Sequence, residues 1–375
     1  MIGISLPRWI KYHLYSNKAF GDLTEAELSD LKSRIGKFQE EDPLVSVVIP
    51  AWNEADHIFR AISSLANSNS KQKIEIVVIN NNSTDNSVGI AKAWTDKDKR
   101  FMLIHEKKQG VMFASNAGSE IAKGELIARM DADDWSYPNR LELQAGFLDD
   151  NPDYGAVAGL VEHIPHSENT KGFARYVEWV NSVKAYQEIL NSRFIESPIP
   201  NPTAMWRKEV AEKFGMYKHG DFPEDYEMWL RWLSKGVKIN KLDEVVLKWH
   251  DSDTRLTRTN PIYSDSAFYR IKTKYLAEWL QKNNPYYPKI AIWGASRISR
   301  RRARLLKQYG LEIEYYIDTK RGRQLDKEVL YYSEIPPPGK LFILTYIKQM
   351  NARDEIQEFL HSRGYREGVD YLLVS

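Results

Sequence analysis

Short runs of β-branched and apolar residues recur through the first third of this chain, and between them the hydrophobic spacing switches from continuous to helical. Val45–Pro50 and Ile74–Ile79 are continuous runs, Phe101–His105 is a third, and Glu125–Met130 is a fourth that ends at Asp131. A strand that is apolar at nearly every position must be covered on both faces, which parallel βαβ units achieve by construction. The intervening segments supply the cover. Ala55–Ala66 carries Ile58, Ala61, Ile62 and Leu65 at helical spacing, Ser83 or Thr84 caps a helix running to Trp94, and Val111–Lys123 is a helix stopped by Gly124. This β-α-β-α order predicts a parallel sheet with helices on both faces, and such sheets bind ligands at the carboxyl ends of their strands. Trp52, Asn81 and Asp131 each stand just past such an end.

The same rhythm returns near the C-terminus. Asn283-Asn284-Pro285 reads as a linker; then Lys289–Trp293 is a strand, Gly294–Ser299 a turn, Arg300–Gln308 a helix, Glu312–Ile317 a strand ending at Asp318, Leu341–Thr345 another strand and Ala352–Arg363 a helix. This is a second, small Rossmann-like α/β unit of roughly 90 residues, a size that can fold alone. Between the two lie helices predicted at Gly172–Ser192, Glu224–Lys235 and Ser264–Gln281, with a strand at Val245–Trp249. Thr24-x-x-Glu27 is a capping box that opens a further helix to about Phe38. The expected organisation is a helical segment over 1–43, an α/β domain over 44–258, a helical linker over 259–285 and the small α/β domain over 286–375.

At 375 residues the chain suits two domains. Its net charge of +2 gives no global pull toward nucleic acid, and its lack of cysteine excludes disulfides and thiolate metal sites and fits a cytoplasmic setting. No apolar run approaches the ~20 residues of a membrane-spanning helix. Trp9, Ile10, Tyr12, Leu14 and Tyr15, set among Arg8, Lys11 and Lys18, suit either packing against the first α/β domain or peripheral contact with a bilayer surface.

Asp131-Ala132-Asp133-Asp134 directly follows a buried strand. Carboxylates so crowded repel one another, and a divalent cation with hard oxygen preferences relieves the repulsion. On its own the cluster reads equally well as an acidic turn or a helix cap. Its surroundings add to it. Val45 to Glu54, Asn82 to Ser87, Gly110 to Gly118 with Asn116 inside, Asp131 to Asp134 followed by Pro138 to Leu141, and Pro223 to Arg231 come in this order over residues 44–255. Together they resemble the opening strand and loop, the second-strand turn, the pre-metal helix, the metal motif and the late acidic motif of glycosyltransferase family 2, whose fold is GT-A.

That resemblance implies an inverting, metal-dependent transfer of a sugar from a nucleotide-diphosphate donor, with a UDP-sugar favoured, to the hydroxyl of a glycan or lipid-linked glycan in bacterial polysaccharide synthesis. It implies that Pro50, Trp52, Asn53 and Glu54 line the nucleotide pocket, with Trp52 as a stacking platform for the base. Asn81 takes the place of a base-reading Asp; an amide both donates and accepts, so base identity stays open. Asn116 and Asp131 are expected toward the donor, Asp133 as principal ligand of Mn2+ or Mg2+, and Asp134 beside the sugar or bracing the loop. His250 resembles a distal metal ligand. Asp225 is the expected general base and Glu224 its neighbour, although two acids after Pro223 also suit a helix N-terminus. Two positions depart from the family pattern: Ser115 stands where Arg is frequent, and Asn201 where His is frequent. Trp179, Trp229 and Trp232 suit either sugar stacking or the core.

In the C-terminal unit, Gly294 and Asp318 have the outline of a dinucleotide site, but the further glycines that admit a pyrophosphate are missing. Arg297, Arg300, Arg301, Arg302 and Arg304 form a basic cluster suited to a phosphate, a lipid-linked acceptor headgroup, an acidic glycan, a homodimer contact or plain solvation. Two other functions compete with transfer. A nucleotidyltransferase would need a glycine-rich phosphate loop, which Pro50–Asp56 lacks; a non-catalytic nucleotide-sugar-binding scaffold would not need Asp131, Asp133 and Asp225 together.

Overall fold

The computed structural model describes residues 44–70, 73–166, 171–253 and 255–375. The expected helix from Thr24 and the aromatic segment around Trp9 lie outside the described residues. The chain divides into two compact units: one comprises the described residues to Pro165 with Pro200–Met216 and Val237–His250, the other His166–Ile199, Tyr217–Gly236 and Asp251–Ser375. The second unit therefore draws on the middle of the 44–258 stretch as well as on the C-terminal sheet.

The first unit is built on an eight-stranded sheet in the order β3-β2-β1-β4-β7-β6-β8-β5. Its strands are β1 (Val45–Ala51), β2 (Ile74–Asn80), β3 (Phe101–His105), β4 (Leu126–Arg129), β5 (Trp135–Ser136), β6 (Tyr154–Ile164), β7 (Met205–Arg207) and β8 (Lys238–His250). Every residue of β1 and β2 is buried, as their largely apolar runs require, and the polar pair inside them, Ser46 and Glu75, is satisfied by its own hydrogen bond. The helix Val111–Ile121 packs closely on them: a Cβ on Gly118 would stand 2.6 Å from Val48 Cγ1 and Ile79 Cδ1. Pairing among β3, β2, β1 and β4 is parallel. The sheet does not remain parallel, because β7 enters antiparallel to both β4 and β6.

Two helix expectations need correction. The segment predicted as one helix over Gly172–Ser192 is two, Lys171–Ser182 and Tyr186–Ser192. The second restarts because Glu188 Oε2 accepts the backbone N–H groups of Lys184 and Ala185, at 2.8 and 3.0 Å. Nor do Ser83 and Thr84 cap the next helix, which begins only at Ser87; both instead bond Asn53 across the loop, as described below.

The second unit holds a five-stranded, wholly parallel sheet in the order β11-β10-β9-β12-β13. Its strands are β9 (Lys289–Trp293), β10 (Glu312–Asp318), β11 (Glu328–Tyr331), β12 (Ile343–Thr345) and β13 (Tyr371–Leu373). One of its hydrophobic clusters gathers Tyr226 and Leu230 from the helix Glu224–Ser234, Leu276 and Leu280 from the helix Asp265–Asn283, and Ile292 and Leu344 from β9 and β12. Ser264 caps the longer helix by accepting from Ala267 N. Among the described residues no helix is long and apolar enough to cross a membrane.

Candidate functional site

In the first unit β1, β2, β3 and β4 end side by side, and their loops are stitched to one another. Asn53 and Asn82 adopt left-handed backbones, φ 55° and 62°, a region asparagine enters more readily than most residues. Asn53 donates its N–H to Ser83 Oγ at 3.0 Å and accepts Thr84 N at 2.8 Å, while the N–H of Glu54 reaches Ser87 Oγ at 2.7 Å and that of Ala55 reaches Asp85 Oδ2 at 2.9 Å. Trp52 stands half-exposed on this rim, at 51%, and Pro50 is buried within β1.

Asn81 is placed differently from the base-reading expectation. It is 2% exposed, donates both amide hydrogens to backbone carbonyls, Glu106 O at 2.9 Å and Lys108 O at 2.8 Å, and accepts Gly110 N at 2.7 Å. The side chain expected to meet a nucleobase is committed to the loop after β3. Its neighbours also bind the loops together, since Asn80 Oδ1 accepts Ser83 N and Asn82 donates to Lys107 O at 2.8 Å. An aspartate at 81 could not make the two donated bonds.

Past β4, carboxylate oxygens of Asp131, Asp133 and Asp134 all lie within 4.8 Å of one another. Arginines hold this turn from inside. Arg129 donates to Asp131 Oδ1 at 2.6 Å, and Arg60 to the carbonyl of Asp133. Arg140, fully buried, donates to Arg129 O at 2.6 Å and to Gln144 Oε1 at 3.0 Å. Burial lowers Arg140 to about 9 although Asp134 opposes the shift. Asp134 is itself fully buried and accepts His250 N at 2.9 Å, so it braces the turn. His250 is thus tied to the acids through its backbone, while the group of mutually close carboxylates consists of the three aspartates. Burial, followed by the charge of Arg60, lowers His250 to about 4, leaving a neutral imidazole at pH 7, the form that ligates metals. Glu54 is raised to about 8, first by burial and then by the charges of Asp133, Asp131 and Asp85. Hard oxygen donors gathered this closely, with a neighbouring carboxyl driven to hold its proton, fit Mg2+ or Mn2+. Asn116 lies half-buried on the helix Val111–Ile121.

In the second unit Pro223 precedes a helix whose first turn holds Glu224, Asp225 and Glu227. Glu224 is 5% exposed and accepts the Tyr263 hydroxyl at 2.7 Å; Asp225 is half-buried and accepts Tyr226 N at 2.7 Å. Tyr176 donates to Ser197 O at 2.9 Å, and burial, then the charges of Glu196 and Asp225, holds its hydroxyl well above the usual phenol range. Trp229 and Trp232 are core residues at 0% exposure, whereas Trp179 is half-buried. Nothing in the sequence marks Tyr263, Arg60 or Arg129 for these contacts; Arg140 stands within the Pro138–Leu141 motif, but its spacing does not reveal what it holds.

The first turn of the second sheet is closed by its own residues. Gly294 has φ 124°, and a Cβ there would stand 3.0 Å from Ser299 Oγ. Ser299 donates to Tyr346 O at 2.9 Å. Arg323 pairs with Asp318 Oδ2 at 3.3 Å and donates to Ala295 O at 2.9 Å. From the basic cluster, Arg302 pairs with Asp265 at 2.7 Å and Arg304 with Asp326 at 3.5 Å.

A profile of the family described as glycosyl transferase family 2 matches residues 46–215. An uncharacterized glycosyltransferase of Haemophilus influenzae is 31% identical over 249 residues, covering 65% of this chain and 76% of that one. The amylovoran biosynthesis glycosyltransferase AmsE of Erwinia amylovora is 26% identical over 235 residues, covering 61% of this chain and 85% of its own. Among solved structures, S. aureus TarS in complex with UDP-GlcNAc shares the fold, with a TM-score of 0.52 at 18% identity over 71% of each chain.

Proposed function

This chain belongs to glycosyl transferase family 2 and is a glycosyltransferase, and from that premise we propose that it moves a sugar from a nucleotide-diphosphate donor to an acceptor hydroxyl with inversion and divalent-metal dependence, in bacterial surface polysaccharide assembly. The observation that carries the metal-dependent reading is the trio Asp131, Asp133 and Asp134, held together within 4.8 Å and backed by arginines. Asp133 would hold the cation, with Asp131 toward the ribose of the donor, and His250, neutral at pH 7, is the proposed further ligand. When bound, the cation neutralises the leaving pyrophosphate. Trp52 offers an exposed ring for the base, and Asn53, Glu54 and Asn116 belong to the donor side.

Asp225 takes the proton of the acceptor hydroxyl as it attacks the anomeric carbon opposite the leaving group, and that geometry inverts the centre. Glu224, with its carboxylate fixed by Tyr263, holds the acceptor or orients Asp225. The relationship to an amylovoran biosynthesis enzyme supports the polysaccharide setting. The test is release of free nucleotide from UDP-, GDP- and TDP-sugars, with Mn2+ and with chelator, by wild type and Asp133→Ala. Turnover of one donor, lost with chelator and in the variant, is expected. Turnover that survives chelation would remove the metal from the reading.

A further inference from the structure

We infer that the C-terminal five-stranded sheet frames the acceptor-side catalytic pair: it holds the helix bearing Glu224 and Asp225, and Tyr263 and Tyr275 are positioning residues for it. This deepens the transferase reading and rests on it for the roles of Glu224 and Asp225. The dinucleotide outline of the sheet does not explain its presence, because Ser299 and Arg323 occupy the turn that a pyrophosphate would need.

Its packing offers another explanation. Tyr226 and Leu230, on the inward side of the helix Glu224–Ser234, share one hydrophobic cluster with Ile292 of β9 and Leu344 of β12. The helix Asp265–Asn283 lies in the same cluster and adds directional contacts. Tyr275 donates to Glu227 Oε1 at 2.5 Å, deep in the unit where Glu227 is 2% exposed, and Arg231 grips the same carboxylate at 3.0 Å. The Tyr226 ring packs 5.4 Å from that of Phe268, and Arg270 donates to Asp221 O at 3.2 Å, just ahead of the helix. Lys272 ties Ile195 O and Val374 O together, each at 3.0 Å. Close to the chemistry, Tyr263 donates to Glu224 Oε2 at 2.7 Å. A carboxylate that must be aligned with a reacting proton gains from such a mounting, because a displacement of about 1 Å can cost on the order of a hundredfold in rate.

Two measurements test this on the full chain. The first needs no donor or acceptor, so its outcome is independent of the proposed chemistry: amide hydrogen exchange at increasing denaturant. The amides of Glu224–Ser234 are expected to open together with those of β9 and β12; opening together with β1 and β4 would overturn the inference. The second compares Tyr263→Phe and Tyr275→Phe, which keep the rings and remove only the hydroxyls. Transfer kcat should fall by about tenfold or more, with donor KM and acceptor-free nucleotide release within about twofold. Wild-type transfer in both variants, or loss of donor binding in step with transfer, would defeat the inference.

Discussion

The two sheets open with the same strand order, third–second–first–fourth, and finish their strands in opposite ways. Past β4 the first sheet gathers three carboxylates, and past β1 it raises a half-exposed tryptophan. At its corresponding edge the second sheet turns inward: Arg323 lies across Asp318 and Ala295, and Ser299 fills the space beside Gly294. One topology thus supports an open polar rim in one unit and a sealed one in the other, so the chemistry follows the residues at the strand ends rather than the fold.

The contrast breaks most easily at the acids. Asp133→Ala should lower metal-dependent turnover on the order of a thousandfold or more, whereas Asp318→Ala, at the sealed edge, should leave it within about twofold. A comparable loss in both, measured as nucleotide release, would show that the second sheet also takes part in donor chemistry. Asp225→Ala should leave donor affinity intact by titration and cut transfer by about a hundred- to ten-thousandfold; weak donor binding would remove Asp225 from the base role. Asn81→Asp sharpens the comparison within the open rim. It replaces two donated bonds with repulsion toward two carbonyls, so affinity for uridine, guanosine and thymidine diphosphates should fall together by about tenfold. A selective change for one base would restore Asn81 as its reader.

The smallest effect concerns acid stability. His250 titrates at about 4 in the folded protein against its ordinary 6.5, so the unfolded chain takes up the proton first as pH falls. Stability from this group is full above pH 6.5 and is lost progressively toward pH 4. In the metal-free protein His250→Gln should flatten that part of the melting-temperature profile, and an unchanged slope would assign it to other groups.

Much of the open rim is legible from local pattern. Continuous apolar runs mark β1 to β3 within a residue or so, and the acids after β4 stand out by their crowding. The strand β6 is harder to read, because Gly155 and Gly159 interrupt its apolar spacing; a Cβ at either would meet a valine of the 237–246 segment within 2.6 Å. Partners distant in sequence are not legible at all. That Asn81 spends its amide on Glu106 and Lys108, or that Tyr263 meets Glu224 39 positions away, follows from how loops come together rather than from spacing. The break at Val183–Ala185 is hidden because helical spacing continues through it, and only the Glu188 carboxylate marks the restart.

The asparagines that stitch the rim also give it a chemical clock. Hydrolysis of the amide at Asn81 or Asn82 leaves a charged acceptor facing carbonyl oxygens that now receive a donated hydrogen. The lesion sits where β2 runs into its loop, with Asn81 itself buried, so a stored preparation would lose donor affinity and melting temperature together. The deamidated species would be found in the tryptic peptide spanning residues 74–92, which carries Asn80, Asn81 and Asn82 together.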